Sequence, residues 1–152
     1  MTIDPSVVEQ VRAASRTMVR ELGFMRTTLA GTDYSPSAVH TLLELSARGT
    51  LSAAQLVQVL GLEKSSVSRL VAKLVRSGEV QETASDDDAR TKRLSLTAQG
   101  TRTVGAIHAY GQRQVTTALT ALDGAQQRSI AQGLEAYAQA LKAQRLGAEQ
   151  PA

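Results

Sequence analysis

Apolar residues recur along this chain at steps of three and four in six separate stretches, and one segment between the fourth and fifth follows a different rhythm. In the first stretch Val8, Val11, Ser15, Met18, Leu22, Met25 and Leu29 form a heptad-like seam. Asp4 before Pro5 is a cap residue followed by a first-turn proline, so the pattern predicts a helix from about Pro5 to about Ala30. Such a seam lies either on the core of its own domain or against a second subunit.

Ser35-Pro36 repeats the cap signal, and Val39, Leu42, Leu43 and Leu45 supply the apolar face of a second helix that Gly49 ends. Ser52-Ala53-Ala54-Gln55 reads as a capping box for a short third helix, with Leu56, Val59 and Leu60 on its buried side. Gly61 breaks this pattern, and a fourth helix follows from Lys64 to Ser77, stopped by Gly78. From Glu79 to Thr97 the period shifts toward two. Val80 and Thr83 suggest one strand, Leu94-Ser95-Leu96 alternates as another, and Ser85-Asp86-Asp87-Asp88 is a polar turn, so a β-hairpin is expected.

Thr97 caps a long fifth helix with Val104, Ile107, Gly111, Val115, Ala118 and Leu122 on one side. Asp123-Gly124-Ala125-Gln126 opens a sixth, whose stripe is Ile130, Leu134, Tyr137 and Leu141. A mobile tail is expected from Gly147. The predicted fold is mainly α with a small β-hairpin wing: a winged helix-turn-helix over residues 35–97, flanked by helix 1 in 1–34, helices 5 and 6 in 98–146, and the tail in 147–152.

Composition fits that picture. The 152 residues suit one compact domain, or a DNA-reading module joined to an oligomerisation module. Aromatics make up 3% and hydrophobics 42%, so the core must be built from Ala, Leu and Val, which favours packed helices. The absence of cysteine excludes disulfides, cysteine-based zinc sites and thiol switches. Neither a secretory leader nor an apolar run long enough to span a membrane stands out, and a cytoplasmic location is expected. A net charge of +3 permits nucleic acid without arguing for it, so the placement of charge matters more.

That placement is informative in the fourth helix. At about 100° per residue, Val67, Leu70, Val71 and Leu74 fall on one side and Ser65, Arg69, Lys73 and Arg76 nearly opposite. Lys64 adds a charge at the start, and no acid lies between Lys64 and Gly78. Such a helix can enter a major groove: short hydroxyls let its backbone approach, an arginine can pair with a guanine edge, and outer cations can hold phosphates. A solvated basic face is the alternative. In the hairpin, Arg90 could reach a minor groove. The local charge is net acidic, with Glu79, Glu82, Asp86, Asp87 and Asp88 against Arg90, Lys92 and Arg93. An acid beside an arginine can aim its guanidinium through paired hydrogen bonds.

The run Asp88, Arg90, Leu94, Leu96, Thr97 and Gly100 resembles the wing signature of the MarR family, D-x-R-x-x-x-L-x-L-T-x-x-G. Ser35-Pro36 and the segment Ser65-Ser66-Val67-Ser68-Arg69-Leu70-Val71 fit upstream, in the same order. The resemblance implies a homodimer joined through helices 1, 5 and 6, binding a pseudo-palindrome in double-stranded DNA with half-sites roughly 34–36 Å apart. It implies that Ser65, Ser66, Ser68, Arg69 and Lys73 face the major groove with Arg76 as a further DNA contact. Arg90 would enter the minor groove, oriented by Asp88. It also implies a transcriptional repressor released by a small-molecule effector. Many relatives carry basic residues where this chain has Glu82 and Ala89.

Other readings remain open at this point. No catalytic residue, cofactor or metal is expected: no activated nucleophile, gathered histidines or phosphate-cradling glycine loop is visible. A winged helix can bind protein instead of DNA. A metal-responsive regulator would use His40 and His108, with Glu44 as helper, although a surface or packing role is the plainer account of both histidines.

Overall fold

A computed structural model describes residues 1–85 and 90–149. The elements run α1 (Pro5–Glu21), α2 (Pro36–Arg48), α3 (Ala53–Leu60), α4 (Lys64–Arg76), β1 (Val80–Ala84), β2 (Lys92–Leu96), α5 (Ala98–Leu119) and α6 (Gly124–Ala148). The chain forms two compact units, residues 1–111 and 112–152, with the boundary inside α5. The winged helix-turn-helix lies in the first unit. No helix among the described residues is long and apolar enough to cross a membrane.

Local chemistry sets most helix starts. Asp4 accepts from the Ser6 N–H and Ser35 from the Ala38 N–H. Ser52 with Gln55, and Asp123 with Gln126, each form the reciprocal box that the spacing predicts. A cap of this kind contributes about 1 kcal/mol by satisfying an N–H that the helix cannot. Thr97 caps α5 by accepting from the Gly100 N–H.

Leu42, Leu45, Leu56, Val67, Leu74 and Leu94 are the most deeply enclosed apolar side chains of a core to which α2, α3, α4, the hairpin and α5 all contribute. The strands pair antiparallel, from Val80 opposite Leu96 to Ala84 opposite Lys92. Leu51 extends the sheet by one bridge, exchanging both backbone hydrogen bonds with Leu94 at 3.1 and 2.8 Å. Of the residues in the two strands only Val80 and Leu94 are buried, so the strands are rooted in the core at the end nearer α4 and α5.

Three boundaries differ from the sequence reading, one of them the end of α5, which stops at Leu119 and leaves Leu122 in the turn before α6. The first helix stops at Glu21, well short of Ala30. Gly23 takes φ +88°, its N–H donates to the Arg20 carbonyl, and the Phe24 N–H donates back to that of Val19. This closure satisfies the last carbonyls of α1 and needs a left-handed residue, a conformation open to glycine. Met25 and Leu29 therefore continue the seam in sequence but not in space; Leu29 packs on the core beside Ala30 and Tyr34. At the other end, α6 continues through Gly147 to Ala148, backed by an Arg145–Glu149 pair at 3.1 Å, so the tail expected from Gly147 begins too early. Residues 150–152 lie outside the described residues.

Neither α1 nor α6 buries a residue. Val8, Val11 and Met18 on the first, and Ile130, Leu134, Tyr137 and Leu141 on the second, are 37–46% exposed.

Candidate nucleic-acid interface

Helix α4 has two chemically opposed faces. Val67, Val71 and Leu74 are buried, whereas Ser65, Ser68, Arg69, Ala72, Lys73 and Arg76 are exposed and Ser66 is half-buried. Glu63 at the N-cap makes no side-chain hydrogen bond to the first turn. The first-turn N–H groups thus have no side-chain cap, and the positive end of the helix dipole favours an anion there. The C-terminal end is tightly closed: Gly78, at φ +79°, donates to the Val75 carbonyl, and Glu79 donates to that of Leu74.

The helix stands as a ridge between two clefts. One, of 330 Å³, is lined by Ser35 and Ser37 of the α2 start and by Ser66, Arg69 and Lys73. The other, of 470 Å³, lies toward the wing, where Ser68 and Ala72 face Glu82, Arg90 and Lys92. Ser66, Arg69 and Lys73 are thus brought together on one flank, and Ser68 with Arg90 on the other. Arg76 lines neither. Among the described residues no carboxylate comes within ion-pair distance of Lys64, Arg69, Lys73 or Arg76. Asp88, expected to aim Arg90, and the neighbouring Ala89 lie outside the described residues.

The wing's acidic tally reads differently in three dimensions. Glu82 pairs with Lys92 at 3.2 Å, and Arg93 donates to Thr50 at 3.3 Å, tying β2 to the turn after α2. Glu79 is not on the wing surface at all: it is 3% exposed. Its Oε1 accepts from the Tyr34 hydroxyl at 2.8 Å and from the Gln99 amide at 3.0 Å. Its Oε2 has no hydrogen-bond partner among the described residues. Burial alone would raise the Glu79 pKa; donation from Gln99 and Tyr34, with the Thr103 hydroxyl nearby and the charge of Arg102, outweighs it and holds the carboxyl below its ordinary 4.5. Tyr34 shifts upward, through burial and the neighbouring carboxylate.

Sequence periodicity missed this cluster. Glu79 follows the helix-stopping Gly78 and precedes the buried Val80, and its partners lie 45 and 20 positions away, beyond any local pattern. The histidines remain apart from the interface. His40 is exposed, its ring centroid 5.8 Å from that of Phe24, and His108 is exposed on α5. Among the described residues no group of three His, Cys, Asp or Glu side chains gathers to hold a metal ion.

Comparison with known proteins agrees with this architecture. Residues 32–91 match the profile of the MarR family. Over 110 residues the chain is 24% identical to the uncharacterized HTH-type transcriptional regulator YfiV of Bacillus subtilis (strain 168), spanning 72% of this chain and 69% of that one. Wild-type MarR from E. coli in its apo form superposes with a TM-score of 0.72 at 17% identity, covering 90% of this chain and 98% of that one. BpsR of Bordetella bronchiseptica, whose DNA binding is regulated by 6-hydroxynicotinic acid, superposes with a TM-score of 0.66 at 16% identity over 88% and 98% of the two chains. Through the segment that carries α2, α3, α4 and the start of the wing, the chain is similar to the MarR family, and its fold is the winged helix-turn-helix of the MarR structures it superposes on.

Proposed function

We propose that this protein is a cytoplasmic transcriptional regulator that binds double-stranded DNA as a homodimer. The observation that carries the reading is the acid-free cationic ridge of α4, with Arg69 and Lys73 making no ion pair among the described residues, above an aliphatic face packed in the core. A ridge with a cleft on each flank suits a major groove, whose walls are two phosphate backbones. Ser65, Ser66 and Ser68 permit close approach, Arg69 reads a base edge, and Lys73 and Arg76 hold phosphates. Arg90, across the wing-side cleft from Ser68, takes the adjacent minor groove, with Asp88 as its orienting acid. No residue is assigned a catalytic role.

The exposed apolar stripes of α1 and α6, together with the distal part of α5, supply the subunit contact, since solvent exposure of such rows is costly. Two α4 ridges related by a two-fold axis then read a pseudo-palindrome. Repression relieved by a small molecule is the mode we infer from the likeness to BpsR. A ligand acts in this scheme only by favouring one arrangement of the dimer over another.

Selection of duplexes from a random-sequence pool, followed by gel shift of the recovered sequence, tests the reading. The expected result is an inverted repeat bound with steep salt dependence and lost with Arg69→Ala. Failure to enrich any duplex would sink the assignment.

A further inference from the structure

Among the described residues, Glu79 carries the one buried carboxylate, and the DNA-reading scheme leaves it without a task. Its backbone closes α4, through the N–H given to the Leu74 carbonyl, and receives the Thr97 N–H at the start of α5. Its side chain joins Tyr34, at the end of the α1–α2 connection, to Gln99 in the first turn of α5. Gln99 also donates to the Ser77 carbonyl at 3.0 Å. Three segments distant in sequence thus meet on one residue at the foot of the recognition ridge.

A buried charge pays for its desolvation, and here one oxygen has no hydrogen-bond partner among the described residues; the Tyr34 and Gln99 donors offset that cost and would themselves be left unsatisfied beside an apolar side chain. What directional hydrogen bonds supply, and an apolar contact does not, is a single geometry. We propose that Glu79 is a positioning residue: by holding Tyr34 and Gln99 at once, it sets the placement of α4 against α5 that DNA binding requires. This rests on the reading of α4 as the DNA-contacting helix.

The absence of native cysteine allows a direct test, because cysteines placed at exposed Ala72 on α4 and Ala106 on α5 take spin labels at those sites alone. Labelled full-length chain, diluted with unlabelled chain, reports the α4–α5 distance distribution. Glu79→Leu and Tyr34→Phe are expected to shift or broaden it, with a lowered thermal midpoint for Glu79→Leu, which leaves the Tyr34 and Gln99 donors without their acceptor. Affinity for the duplex selected by the parent protein should fall about tenfold, within the usual range of coupling between sites. Glu79→Gln, which can still accept from both donors, should recover most of that loss. Arg69→Ala should lose DNA with the distance distribution intact.

An unchanged distribution in both Glu79→Leu and Tyr34→Phe would overturn the proposal, as would affinity that falls only in step with the folded fraction. If Glu79→Leu does not fold, Tyr34→Phe decides by the same two measurements. If no duplex is ever selected, the DNA reading fails, while the distance measurement still judges the role of Glu79.

Discussion

The carbonyl oxygen of Glu79 occupies the space that a β-carbon on Gly100 would need. Gly100 is buried in the first turn of α5, and the Leu96 side chain closes the same space from another direction, 3.2 Å from that β-carbon position. The glycine at the end of the wing signature thus has a steric explanation: it lets a helix start directly against the chain leaving α4. Because the obstacle is backbone, no rotamer change can relieve it. Gly100→Ala is expected to cost about 1–3 kcal/mol or more, the range for overpacking. Gly105→Ala, where nothing lies within 4 Å, should cost nothing or stabilise by up to about 1 kcal/mol. Urea denaturation of the two variants checks the contrast; equal midpoints would contradict this packing.

The cations of α4 and of the wing should respond differently to mutation. Arg69→Ala is expected to cost about 1–3 kcal/mol of DNA affinity and to relax preference at one base position. Lys73→Ala should weaken all duplexes alike and reduce the slope of log K against log salt by about 0.9. Arg90→Ala should also lose about 1–3 kcal/mol. Titrations at several salt concentrations separate these cases, and an unaltered affinity in Arg90→Ala would remove the wing from the mechanism.

Acid should act on the Glu79 cluster. The carboxyl is held below its ordinary 4.5 in the folded protein, so its charged form contributes stability in full above about pH 4.5. That contribution is lost as pH falls through the lower folded value, where the native carboxylate takes up its proton. Tyr34 behaves oppositely: its raised pKa means that its share is intact below pH 10 and lost as pH rises through the folded value. Denaturation midpoints measured on either side of pH 4.5 should therefore differ less in Glu79→Gln than in the parent protein. Equal dependence in both would show that the carboxylate is not the titrating group.

Leu134 offers a check on assembly. It is 43% exposed on a helix that buries nothing. Leu134→Asp is expected to leave the first unit folded and to convert a dimer to monomer in sedimentation, because a charge in an apolar subunit contact is strongly unfavourable. DNA affinity should fall with it, since two half-sites are then no longer read by one particle. A dimer that survives this change would move the contact away from α6.

Much of the fold was readable because it is encoded locally. Ser35, Ser52 and Asp123 cap the helices they precede, each through a hydrogen bond spanning three residues. The opposed faces of α4 are equally visible, since periodicity is a property of neighbours. The errors have the same origin. The seam through Met25 and Leu29 ignored Gly23, whose left-handed turn ends α1. The mobile tail expected from Gly147 starts too early because a single glycine near the end of a long helix costs only about 1 kcal/mol. Glu79 was counted among the wing's surface acids because its burial depends on Tyr34 and Gln99, which no local window contains. The pairing of Leu51 with Leu94, 43 positions apart, was invisible for the same reason.

That last pairing bears on how the wing carries load. With both of its backbone groups committed to Leu51, Leu94 acts as a pivot partway along β2, and Arg93 grips Thr50 beside it. The hairpin is then a cantilever anchored to the turn before α3. Displacing β2 at Leu94 must therefore either break both backbone bonds to Leu51 or carry that turn along with it.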